Sequence, residues 1–364
     1  MRRVGFVLWW WWWWWAPRVA SGACFNASAN AAVLAQGAAL QCAGVHGVKM
    51  PCLDAARSEA VPPRVFHLHL SKMNGRSVLD RATPVTGLPH CPWTAKSGSA
   101  STFRGFSGLR ERLRRAAGTP ASRCVTSYET YWDVAVDACV GDGGPPPLFL
   151  TVLRAPLSWA ASKIRHKSNR HVEGCVRGGA FDGGAPSPDC GAIDFRRFGL
   201  LHLGPLAPSD GVAGCAAPPH HPIAEEAGRA HPPPRLGGWN ATARIDVAYA
   251  RLEASVFGVV EHMAASYCLW RFQFGTLDHF KRDCDCRRRE RTRAKREADG
   301  LVAATKYQEN ATVESFLRIE RAMADYARLY ARAEDLFRRR AEAVEAATGA
   351  RLLCDDSFDP GDGD

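Results

Sequence analysis

Two apolar runs, each broken off by a polar loop that opens a helix, limit this chain more than any other feature of it. Arg64-Val-Phe-His-Leu-His-Leu70 is apolar and β-branched with no turn former inside it, which is the pattern of a strand. It gives way at once to Ser71-Lys72-Met73-Asn74-Gly75-Arg76-Ser77, after which Val78-Leu79 open a helix. Pro147-Leu-Phe-Leu-Thr-Val-Leu153 is a second strand, placed after a Gly-Pro turn. Arg154-Ala155-Pro156 follows it and leads into a helix over Leu157 to His166, with proline near its first turn. Strand–loop–helix units of this kind predict an α/β fold with a mostly parallel central sheet flanked by helices. At 364 residues the chain is long enough to bury one such domain.

Residues 24–63 are rich in Ala and Gly and end in Val61-Pro62-Pro63, so a stalk or irregular segment is expected there, with the domain over 64–349. Residues 174–240 hold 13 Gly and 10 Pro in 67 positions, a composition that predicts a low-complexity insertion in a surface loop. Within it, His220-His221-Pro222 reads as solvated loop rather than metal site. Regular structure resumes near Asn240. Val256-Phe-Gly-Val-Val260 reads as a short buried strand and Glu261 to Phe274 has helical spacing. Lys281 to Arg296 carries nine Lys and Arg against three acids, a solvated helical face or a contact surface for an anion. Apolar residues step by three and four from Val313 to Val344, which predicts a long amphipathic helix over 313–347. An acidic tail occupies 350–364.

The amino terminus sets the expected compartment. Arg2-Arg3 and an apolar stretch over 4–16, including seven consecutive Trp, match the charged and apolar parts of a secretory signal. The stretch is shorter than the roughly 20 residues a spanning helix needs. Small residues at Ala20, Ser21, Gly22 and Ala23 suit cleavage, so 1–23 is a signal peptide or a short signal anchor that attaches the chain to a membrane through 4–16. Three sequons, Asn26-Ala-Ser28, Asn240-Ala-Thr242 and Asn310-Ala-Thr312, agree with a lumenal protein. So do 13 cysteines, an odd number that leaves one unpaired or paired with another chain. Cys284-Asp-Cys286 has no second pair nearby, which favours disulfides over zinc. With 47 Lys and Arg against 37 Asp and Glu, the net charge of +10 favours anionic partners.

A strand, a tight glycine-containing loop and a helix together make an anion site, because loop N–H groups and the helix dipole converge on the ligand. The ordinary nucleoside triphosphate loop does not fit residues 64–80. Aligned on Gly75, Leu70 stands where its first glycine belongs and Arg76 where its lysine belongs. The lysine is instead Lys72, at the start of the loop. Lysine first, then a short loop and a serine, resembles the 5′-phosphosulfate loop of Golgi-type carbohydrate sulfotransferases, commonly Pro-Lys-Thr-Gly-Gly-Thr-Ser. Lys72, Gly75 and Ser77 match; Ser71, Met73, Asn74 and Arg76 depart. The family's 3′-phosphate segment, Arg-Asp-Pro at a strand end with a second arginine and then a serine eight positions after the first, is similar to Arg154-Ala155-Pro156 with Ser162. Ala155 and Trp159 replace the usual aspartate and second arginine. Phe257-Gly-Val-Val-Glu261 and the helix around Tyr326, Tyr330, Leu336 and Phe337 are similar to two further family segments.

That resemblance implies a P-loop-like sulfotransferase fold and transfer of the sulfuryl group from 3′-phosphoadenosine 5′-phosphosulfate to a glycan hydroxyl in the Golgi lumen. It implies no metal and no nucleic-acid partner. Lys72 is then expected at the bridging oxygen, where charge develops on the leaving phosphate. The loop Met73, Asn74, Gly75, Arg76 and Ser77 would hold the 5′ end, and Arg154 with Ser162 the 3′-phosphate. The acceptor needs a base, and Glu129 and His90 are the candidates. Two rivals remain: another P-loop phosphotransferase, for which the lysine is misplaced, and a non-catalytic basic glycan-binding secretory protein, for which the losses at 155 and 159 speak.

Overall fold

The computed structural model describes residues 27–42, 45, 47–53, 65–70, 85, 125–128, 131–140, 146–159, 200–205, 240–287, 320–321 and 323–354. Four strands build its sheet: β1 (Val65–Leu68), β2 (Val125–Tyr128), β3 (Leu148–Leu153) and β4 (Val256–Val259). They lie in the order β2-β1-β3-β4 and every pair is parallel. β1, β3 and β4 are buried along their whole length, as strands covered on both faces must be. The α/β character and the parallel sheet follow the sequence reading, and three of the four strands fall where the apolar runs predicted them. β2 was not anticipated, since Val-Thr-Ser-Tyr is too short and polar to stand out.

Alternation divides the strand side chains between two cores. Phe66, Leu68, Phe149, Leu153, Phe257 and Val259 face one cluster. Val65, Val125, Leu148, Leu150, Val152 and Val256 face the other. The first is covered by α1 (Ala27–Ala39), α2 (Trp132–Val140), α3 (Leu200–Leu203), α4 (Ala241–Glu253) and α7 (Ala324–Thr348). The second receives Tyr267, Trp270 and Phe274 from α5 (Met263–Gln273) and its end. A side chain at Gly258 would meet Ser266 Cβ and the Trp270 ring at 2.7 Å, so glycine in β4 is what lets α5 lie so close. α7 buries Tyr326, Leu329, Tyr330, Ala333, Leu336, Phe337, Ala341 and Val344, the stripe expected from steps of three and four.

The structure corrects three expectations. Residues 27–53 are not a stalk where they are described. Ala29, Val33 and Met50 are core residues, and Cys42 is bonded to Cys52. The Ala/Gly composition that read as irregular is instead what close packing demands, since a Cβ on Gly37 would collide with the Ala254 backbone. Residues 200–205, inside the expected surface insertion, are also core, because Leu200 and Leu203 are fully buried. The acidic tail cannot begin at 350: Ala350 and Leu352 are buried and Cys354 is bonded to Cys286. Cys268–Cys284 joins α5 to α6 (Phe280–Cys284). Both cysteines of the Cys-Asp-Cys segment therefore form disulfides, as the sequence favoured.

Candidate functional site

In open parallel sheets ligands bind outside the carboxyl ends of the strands, where successive connections leave in opposite directions. In the order β2-β1-β3-β4 that place is between β1 and β3, since the chain leaves β1 for β2 on one side and leaves β3 for β4 on the other. The last residue of β1, Leu68, is paired with Thr151, and Thr151 Oγ1 donates to the Leu68 carbonyl at 3.0 Å. β3 continues past this point to Leu153 and delivers Arg154 and Ala155 to the edge. Residues 156–159 are helical, so the turn from strand to helix is tight.

Three elements converge on that turn. Arg154 is half-buried, and its Nε donates to Ser158 Oγ at 2.7 Å. Its carbonyl accepts a hydrogen bond from the Tyr326 hydroxyl at 2.8 Å. The Ala155 amide donates to Glu261 Oε1 at 3.0 Å, and the Tyr330 hydroxyl donates to Glu261 Oε2 at 3.0 Å. Glu261 is in the 3-10 turn Val260–His262 that follows β4 directly. Tyr326 and Tyr330 are four apart on α7, hence on one face. Burial drives the Tyr326 hydroxyl far above its ordinary pKa. Burial and the Glu261 carboxylate do the same to Tyr330. Both phenols therefore stay protonated donors at physiological pH. The arrangement fixes the backbone on both sides of the Arg154–Ala155 peptide and sets one guanidinium at the strand end.

Below the edge, His67 on β1 and Ser127 on β2 face each other in register, with His67 Nδ1 and Ser127 Oγ 2.8 Å apart. His67 is buried, and its ring stacks on His69 at 5.8 Å, which puts the two histidines on one face. Of the expected site residues, Arg154 alone is described. Lys72, Met73, Asn74, Gly75, Arg76, Ser77, His90, Glu129 and Ser162 lie outside the described residues. Trp159 is 1% exposed and belongs to the core, so it takes no part in holding a ligand at the surface.

A second polar cluster escaped the sequence reading. Arg251 Nη2 donates to Asp133 Oδ1 at 2.5 Å and to Asn30 Oδ1 at 2.9 Å. Its Nη1 donates to the carbonyls of Leu203 and Gly204 at 2.7 and 2.8 Å. Asn30 Nδ2 donates to Asp133 at 3.1 Å and Trp132 Nε1 to Asn30 Oδ1 at 3.0 Å. One guanidinium thus ties α1, α2, α3 and α4 together. Burial lowers the Arg251 pKa to about 10, against the opposing pull of Asp133. Arg340 is likewise buried, lowered to about 9, and donates to the carbonyls of Lys49, Ser255 and Glu253 at 2.7–2.8 Å. No local pattern announces partners 118 positions apart. Both guanidinia bind protein acceptors, which makes them braces rather than ligand sites.

Among the described residues, no group of three or more His, Cys, Asp or Glu could hold a metal ion, and no helix is long and apolar enough to cross a membrane. Comparison of the chain with protein-family models, with curated proteins and with solved structures finds no match. The class defined by the fold is an α/β protein with a parallel sheet, carrying an arginine-centred cluster at its carboxyl edge.

Proposed function

We propose that this chain is a sulfotransferase of the secretory pathway, taking the sulfuryl group from 3′-phosphoadenosine 5′-phosphosulfate to a hydroxyl of a glycan. The observation that carries the reading is topological. The two segments with anion-binding character, 71–77 and 154–162, continue from the ends of adjacent parallel strands on either side of the sheet's switch point. A donor with phosphates at both ends of a nucleoside needs two such sites side by side.

In this reading the residues divide the work. Lys72 meets the bridging oxygen as the S–O bond to the leaving phosphate breaks and a bond from the acceptor oxygen to sulfur forms. Arg154 takes the 3′-phosphate, its direction set by the grip of Tyr326 and Glu261 on the carbonyl and amide of the Arg154–Ala155 peptide group. Glu129 or His90 takes the acceptor proton. The disulfides and the signal-like amino terminus support an oxidising, lumenal setting. The test is transfer of labelled sulfate from the donor to a panel of glycans by the full chain and by Lys72→Ala. Donor-dependent labelling that the variant loses supports the proposal; no labelling of any acceptor by a chain that binds glycans overturns it.

That second outcome is the rival reading, a non-catalytic glycan-binding protein, and the structure supplies one observation in its favour. The position where a second arginine is expected is a buried tryptophan, and Ala155 contributes only a backbone amide. The 3′ end of a nucleotide would then rest on Arg154 and Ser162 without that second cation.

A further inference from the structure

We propose that Asn240 carries an N-linked glycan in the mature protein, an inference that rests on the lumenal setting argued above. Asn240 is exposed and caps α4, its Oδ1 accepting from the Ala243 amide at 3.0 Å. The cap uses the oxygen only. Glycosylation uses the other atom of the amide: Nδ2 loses a proton and bonds to C1 of the sugar, while a lipid pyrophosphate leaves with the electron pair of the broken glycosidic bond. The amide oxygen survives as an acceptor, so the modified residue still caps the helix. Among the described residues, Nδ2 has no hydrogen-bond acceptor that modification would displace. The Thr242 residue that completes the sequon is exposed as well. The described fold thus has room for the glycan and keeps its cap while carrying it.

The position has a consequence for the site. Arg332 on α7 pairs with Asp246 on α4, Arg339 reaches Tyr249, and Arg340 reaches Glu253, so the two helices run in the same direction. Tyr326, in the first turn of α7, touches Arg154. The start of α4 therefore lies toward the carboxyl end of the sheet, and a glycan on Asn240 stands on the same end of the molecule as the candidate site.

The full chain expressed in cells with a secretory pathway gives the test. Microsomes are first treated with external protease, then the tryptic peptide 236–244 is analysed before and after digestion with a glycosidase that leaves aspartate at a formerly glycosylated asparagine. The expected result is a protease-protected chain whose peptide shows aspartate at position 240 only after the glycosidase, and a Thr242→Ala variant that migrates faster by one glycan and yields unmodified Asn240. A protected chain with unmodified Asn240 overturns the glycan and leaves the lumenal setting intact. A chain digested by the external protease overturns both.

Discussion

Two arginines, 251 and 154, occupy the same fold and answer to different physics. Arg251 is 1% exposed in its side chain and its carboxylate partner is wholly buried. Its hydrogen bonds go to side chains and carbonyls of three other helices and the end of one of them. Arg154 stands half-buried at a strand end, with its peptide clamped and its Nε on a neighbouring serine. A buried ion pair stabilises little relative to apolar packing, yet removing one partner is severe because a naked charge is left behind. A cation at a rim contributes little to the fold, and in the proposed reading it meets an anion from outside. The difference separates what holds this protein together from what it is proposed to do.

Trp159→Arg probes the boundary between these regions. The residue follows Arg154 closely in sequence but packs in the core, so the change should lower stability by at least about 3–5 kcal/mol, the usual cost of losing a buried aromatic, with the buried charge in addition. Denaturant unfolding measures it; a stable variant with tightened nucleotide binding would place position 159 at the site instead. Asp133→Ala should cost about 3–5 kcal/mol by stranding Arg251. Equal stability of variant and parent would remove the brace from the account. Lys72→Ala should slow sulfuryl transfer by roughly 100- to 1,000-fold with the thermal midpoint unmoved. In chains freed of the proposed glycan, Asn240→Ala removes the α4 cap, and it should cost about 1 kcal/mol and leave any transfer activity untouched.

The same contrast explains what could be read from sequence. β1, β3 and β4 were legible as short apolar runs bounded by polar or turn residues, and α7 because its apolar residues step by three and four. Arg154 was legible because it ends a strand. The packing of α1 and of residues 200–205 was not, since small residues look alike whether they form a loop or allow close contact, as at Gly37 against Ala254. The Asn30–Asp133–Arg251 brace was beyond reach because its members come from distant segments and each looks like an ordinary surface residue in its own helix. Glu261, Tyr326 and Tyr330 lay in segments already singled out, but their role of gripping the Arg154–Ala155 peptide emerges only when β4 and α7 are folded against β3.

The central claim is that Arg154 is held in place to meet a phosphate. Calorimetric titration of the full chain and of Arg154→Ala with adenosine 3′,5′-bisphosphate tests it most directly. The account predicts saturable binding by the parent and a loss of about 1.5–3 kcal/mol in the variant, the worth of one charge-assisted partner, with unfolding unchanged. Identical binding by the two proteins, or none by either, would contradict it.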